Sequence, residues 1–181
     1  SSAPTGILEC DNLSQSESRA VVFHSLSKRS NLAGLRSGFV AANEKIISKL
    51  ELYRTYHGVT LSVPTQEASE WAWKDDDHVQ KNRLEYDLKY QVAKECLDSS
   101  IEIERPNGGF YYWLKLPCND ENFVKTLYQK ESVLTLPGTY LSKEEKGINP
   151  GKGYVRLAVV HDADTIERAF TAINRTLMDF Q

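Results

Sequence analysis

Cysteine is scarce in this sequence: Cys10, Cys96 and Cys118 are odd in number, far apart and free of C-x-x-C spacing. That excludes a disulfide framework and predicts free thiols in a reducing cytoplasm. An excess of either charge is also missing. Lys and Arg total 22 against 25 Asp and Glu, a formal net charge of −3, which gives no electrostatic reason to expect a nucleic acid or an anionic membrane as partner. No apolar run approaches the roughly 18 residues of a membrane span, and no signal peptide opens the chain. Without export, the formal glycosylation sequons at Asn12 and Asn174 carry no meaning. The four histidines, His24, His57, His78 and His161, are scattered without H-E-x-x-H or paired ligand spacing, so no metal is expected. There is no G-x-S-x-G elbow and no internal repeat.

What is present centres on one lysine. Val21-Val22-Phe23-His24 is a β-branched and aromatic run that reads as a buried strand, and Gly38 to Ala42 reads as a second. Between them lies a polar turn with Ser25, Ser27, Lys28 and Arg36, relaxed by Gly34. A lysine just past a buried strand is held rigidly and partly desolvated, which favours the free, nucleophilic amine. A hydroxyl and a guanidinium near that amine suit a ligand with both an aldehyde and a phosphate, since guanidinium grips phosphate in a fork. Pyridoxal 5′-phosphate is such a ligand. A plain solvated turn between two strands accounts for Ser-x-Ser-Lys equally well; Arg36 is what tilts the balance.

Ser25-Leu26-Ser27-Lys28 with Gly34-Leu35-Arg36-Ser37-Gly38 resembles the lysine motif of the class I/II, fold type I aminotransferases. The string from His24 to Val40 resembles the succinyldiaminopimelate branch. The resemblance implies an α/β chain, with residues 1–75 the end of a large cofactor domain's mixed sheet and 76–181 a small α/β domain. It implies Lys28 as the catalytic, cofactor-bearing lysine, with Ser25, Arg36 and, more weakly, Ser27 on the phosphate. It implies transamination between an amino acid and a 2-oxo acid in a homodimer, with Tyr56 and His57 reaching towards substrate across the interface. A plain helix connection is the alternative for those two. The family's glycine-rich phosphate loop, pyridine-facing aspartate and stacking aromatic cannot be found before Lys28. The chain therefore reads as a C-terminal half, unable to transaminate alone. Aspartate or other amino-acid transamination, carbon–sulfur β-elimination and a non-catalytic regulatory domain stay open as alternatives.

Along the chain, residues 1–19 read as a surface loop with a short turn at Ile7 to Cys10. Asn43 caps an expected helix from Glu44 to Arg54, and Pro64 opens another from Thr65 to Trp73. A long helix is expected over 76–98 on the stripe Leu84, Leu88, Val92 and Cys96. The acidic run Asp75-Asp76-Asp77 before it reads as a solvated first turn. Ile101 to Glu104 and Phe110 to Leu116 read as a hairpin about Pro106-Asn107-Gly108-Gly109, which also resembles a glycine-glycine-phenylalanine segment of the family. A helix over 120–130, a strand over 133–136 and a polar loop to Gly153 follow. Gly147 to Gly153 lacks the spacer and hydroxyl of a phosphate loop and is rejected as one. Tyr154 to Val160 reads as a buried strand holding Arg156, a costly burial unless an anion satisfies it. The resemblance makes that anion the substrate α-carboxylate; a structural salt bridge is the alternative. A final helix opens at Asp164 with Ile166, Phe170, Ile173 and Leu177 on one face.

Overall fold

The computed structural model describes residues 5–15, 17–58 and 60–180; residues 1–4 and 16 of the expected N-terminal loop lie outside the described residues. The chain is mixed α/β and divides into two compact units that meet between Arg83 and Leu84.

The first unit contains α1 (Ile7–Cys10), β1 (Val22–Ser25), α2 (Leu26–Arg29), a 3₁₀ turn (Ala33–Leu35), β2 (Gly38–Ala41), α3 (Glu44–His57) and α4 (Val63–Lys74). Strands β1 and β2 pair antiparallel, with Phe23 opposite Val40 and Ser25 opposite Gly38. Gly38 is required there, because a Cβ would fall on the His24 carbonyl. The two strands form as expected but are not buried: Phe23 is 74% exposed and Phe39 44%. A two-stranded ribbon has too few neighbours to cover both faces. Asn43 caps α3 by accepting from the Ile46 amide at 3.0 Å, and its own amide donates to the Ser18 carbonyl at 2.6 Å. Helix α3 runs past the expected end at Arg54 to His57. Ser62 caps α4, which starts two residues before the expected Thr65 with Pro64 in its first turn.

Helix α5 (Asp77–Cys96) contains the division between the units. Its expected stripe is wrong in part. Leu84 and Leu88 are exposed, while Tyr90, Ala93 and Leu97 are buried. A strict four-residue spacing drifts about 40° per step on a 3.6-residue helix, so that row slides off the core.

In the second unit, β3 (Tyr111–Lys115), β5 (Tyr154–Ala158) and β4 (Leu136–Pro137) form an antiparallel sheet in the order β3-β5-β4. Tyr112, Leu114, Val155 and Leu157 point to one face and are buried against α5, α6 (Asp120–Glu131) and α8 (Ala163–Leu177). All four apolar residues expected on α8 are buried there. Its cap, however, is Asp162, which accepts from the Thr165 amide at 2.8 Å, so the helix opens earlier than expected. Asn174 closes the end of α5: it donates to the Cys96 carbonyl at 2.8 Å and accepts from the Asp98 amide at 3.0 Å.

The expected hairpin is absent. Ile101 and Ile103 pack against the core, as their alternation predicts, but no strand lies beside them and no ladder forms. Strand β3 pairs with β5 instead. Only Leu136 of the expected strand over 133–136 joins the sheet, and the following loop contains α7 (Gly138–Leu141). That loop is clamped by Asp120, which is fully buried and accepts from the Thr139 amide at 2.8 Å, the Thr139 hydroxyl at 3.0 Å and the Gly153 amide at 3.2 Å. Burial pushes its carboxyl up, but these donors outweigh it and hold the group below its usual range.

Candidate active site

Lys28 lies in α2, a single turn that begins where β1 ends. So short a helix cannot sustain itself and depends on what holds its ends. Ser25 is its cap: its hydroxyl accepts from the Ser27 amide at 3.1 Å and lies 2.9 Å from Ser27 Oγ and 3.1 Å from the Ser37 carbonyl. Leu26 is fully buried and pins the turn from below. Lys28 itself is exposed, so the expected partial desolvation is not found around it. The ribbon beneath it is too open to exclude water.

Arg36 follows the 3₁₀ turn in the left-handed region, at φ 52° and ψ 33°. For a residue with a Cβ this conformation costs on the order of 1–2 kcal/mol. Its Nη1 donates to the Ala33 carbonyl at 3.0 Å. Ser25 and Arg36 line one open cleft of about 830 Å³, together with His24, Phe39 and Arg54. A hydroxyl and two guanidinium groups along one cleft are a donor set that fits a phosphate monoester. Ser27 reaches this site only through its contact with Ser25. Tyr56 and His57 are not among the lining residues. Both are exposed in the last turn of α3, where His57 stacks on Tyr53 at 4.8 Å.

Arg156, in the second unit, stands on the sheet face opposite the helices. It is partly exposed rather than buried, because alternation along β5 sends Val155 and Leu157 inward and Arg156 outward. Its guanidinium lies over the Tyr111 ring at 4.7 Å, and Trp113 stacks on Tyr154 at 5.7 Å beside it. Arg156, Tyr111 and Trp113, with Arg105 and Gly108, border a cleft of about 540 Å³. The Tyr111 backbone is fixed from behind by the Tyr90 hydroxyl, which donates to its carbonyl at 3.3 Å. Burial pushes the Tyr90 phenol up to about 12, so it remains a donor at neutral pH. An aromatic face under a guanidinium leaves the guanidinium edge for a carboxylate.

Two placements are not expected from the sequence: Tyr111 against Arg156, and Arg54, a candidate substrate contact by sequence, on the same cleft as Ser25 and Arg36. Tyr111 was read only as a strand aromatic; its diagonal relation to Arg156 follows from the β3–β5 register, which local pattern does not give. Arg54 sits one helical turn after Leu50, another lining residue, and that spacing was the available signal.

The profile of the family described as aminotransferase class I and II matches residues 3–173. The LL-diaminopimelate aminotransferase of Natranaerobius thermophilus is 34% identical over 166 residues, covering 85% of this chain and 39% of that protein. The crystal structure of an aminotransferase from Neisseria meningitidis superposes with a TM-score of 0.81 at 40% identity, over 89% of this chain and 40% of that one. A probable N-succinyldiaminopimelate aminotransferase from Thermus thermophilus gives a TM-score of 0.76 at 27% identity, over 87% and 42%. The chain thus spans about two-fifths of the length of the relatives it matches. Among the described residues, no helix is long and apolar enough to cross a membrane.

Proposed function

Because the chain belongs to the aminotransferase class I and II family, whose cofactor is pyridoxal 5′-phosphate, we propose that the whole protein transfers an amino group between an amino acid and 2-oxoglutarate. The observation that carries this reading is the convergence of Ser25 and Arg36 on one cleft, with the turn that carries Lys28 opening at Ser25. Lys28 would bind the cofactor aldehyde carbon and, once released by the substrate amine, carry the proton to and from the substrate Cα. Ser25 and Arg36 would hold the phosphate, with Ser27 supporting Ser25. The bound cofactor supplies an electron sink for the pair left at Cα. Arg156 would grip the α-carboxylate and so orient the Cα–H bond. In this reading residues 1–75 belong to the large domain and 76–181 to the small one, in a cytoplasmic homodimer where Tyr56 and His57 reach towards the partner's substrate.

For the amino donor we propose N-succinyl-LL-2,6-diaminopimelate. The similarity to the Thermus protein, named as a probable N-succinyldiaminopimelate aminotransferase, supports it, and the Natranaerobius protein's name shares the diaminopimelate skeleton without the succinyl group. A long acylated dicarboxylate needs a contact besides the one on its α-carboxylate, and Tyr56 and His57 would supply it. Side-by-side assays of the full-length protein with 2-oxoglutarate test this. The expected result is a higher kcat/KM for N-succinyl-diaminopimelate than for aspartate, and a raised KM for both in R156K with the cofactor spectrum intact. A clear preference for aspartate would overturn the substrate, and absence of any amino transfer would overturn the activity.

A further inference from the structure

Arg29 follows Lys28 directly, and its side chain is only 12% exposed. Its Nη1 donates to the Ala72 carbonyl at 2.8 Å and to Ser30 Oγ at 3.2 Å, and its Nη2 donates to the Trp73 carbonyl at 3.5 Å and pairs with Asp76. The guanidinium plane also lies 5.1 Å from the Trp73 ring. Ala72 and Trp73 are in the last turn of α4, whose terminal carbonyls lack intrahelical partners and form the negative end of the helix. Trp73 in turn packs on His24 at 5.2 Å and Phe39 at 5.1 Å, one residue from each of β1 and β2. One cluster therefore joins both strands of the ribbon, the end of α4 and the turn that bears Lys28.

That turn has three anchors: Ser25 at its start, Leu26 beneath it and Arg29 at its end. The first two fix its near end. Arg29 ties the end on which Lys28 sits to a distant helix, and its reach to Ala72 spans 43 residues of sequence. We infer that Arg29 is a positioning residue, which clamps the C-terminal end of α2 onto the end of α4 and thereby sets the direction in which Lys28 presents its amine. This rests on the reading of Lys28 as the cofactor lysine. The planar fork is essential, since two backbone carbonyls, a hydroxyl and a carboxylate are met by one rigid guanidinium; a lysine ammonium cannot span them.

The test uses full-length, cofactor-loaded protein and compares wild type with R29M, R29K and D76N. Visible circular dichroism per bound cofactor reports how firmly the lysine-linked ring is held, and steady-state kinetics separate kcat from KM. R29M and R29K are both expected to lose most of the visible dichroism and about ten-fold in kcat, with KM nearly unchanged. D76N, which leaves the two carbonyl contacts, is expected to fall between them and wild type. Wild-type dichroism and kcat in a folded R29M would overturn the inference. If R29M does not fold, R29K and D76N decide the matter, and wild-type dichroism in both overturns it. Borohydride reduction and peptide mapping of the same samples separate the two layers. Label on another lysine removes the Lys28 reading and this inference with it, whereas label on Lys28 with unchanged dichroism removes Arg29 alone.

Discussion

The two units of this chain bury their apolar side chains to opposite extents. All sixteen residues of the continuous apolar core lie beyond Leu84. In the first unit, among the described residues, Leu26 and Val79 are the buried apolar side chains, while Phe23, Trp71, Leu52 and Val63 are mostly exposed. The second unit closes a sheet with three helices and needs nothing more to exclude water from its inner face. The first unit carries the proposed cofactor lysine, the phosphate-binding candidates and a ribbon with exposed aromatics. Stability and chemistry are thus separated along the sequence, with Arg156 the one proposed substrate contact placed on the stable side.

The largest effect that would sharpen this contrast is expected in the second-unit core. Phe170 is 2% exposed and packs near Tyr112, with ring centroids 6.1 Å apart. Phe170→Ala should lower unfolding stability by about 3–5 kcal/mol in chemical denaturation. Trp71→Ala, at a side chain 76% exposed, should stay within about 0.5 kcal/mol in this chain. Equal losses at both positions would break the comparison.

Arg36→Ala comes next. In full-length protein it should weaken cofactor affinity by about 2–4 kcal/mol, the loss of a charge-assisted contact, with the strained backbone at 36 relieved only in part. Equilibrium dialysis against cofactor measures it, and an unchanged dissociation constant would detach Arg36 from the phosphate.

The smallest effect concerns the loop clamp. Asp120→Asn replaces an acceptor of three donors by a group with one acceptor and an opposing amide, and should cost about 1–3 kcal/mol. The sign of the pH dependence follows from the lowered carboxyl. Its contribution is fully present above the unfolded value of about 4 and is lost as pH falls through the lower folded value. Wild type and variant should therefore converge in stability in acid and differ at neutral pH. A constant difference across that range would mean the charge on Asp120 is not what holds the loop.

Much of the fold was legible where the signal is local. The stripe Ile166, Phe170, Ile173, Leu177, the cap at Asn43 and the helix opening at Pro64 needed only helical spacing and hydrogen-bond chemistry. Leu84 and Leu88 misled because four-residue repeats mimic a face without tracking the helix. Ile101 and Ile103 alternate correctly, yet a strand exists only if another lies beside it, and the neighbour of β3 is β5, about forty residues further along the chain. The site divides the same way. Ser25, Lys28 and Arg36 lie within twelve residues of one another, so the proposed site's first half shows in local sequence. The Arg29–Trp73 clamp and the Tyr111–Arg156 stack are long-range pairs whose members look ordinary in their own surroundings.

The proposed chemistry turns on Lys28. Borohydride reduction of the cofactor-loaded full-length protein, followed by peptide mass mapping, should place the reduced cofactor on the peptide containing Leu26-Ser27-Lys28 and on no other lysine. Label on a different lysine, or none at all on a protein that has bound its cofactor, would contradict it.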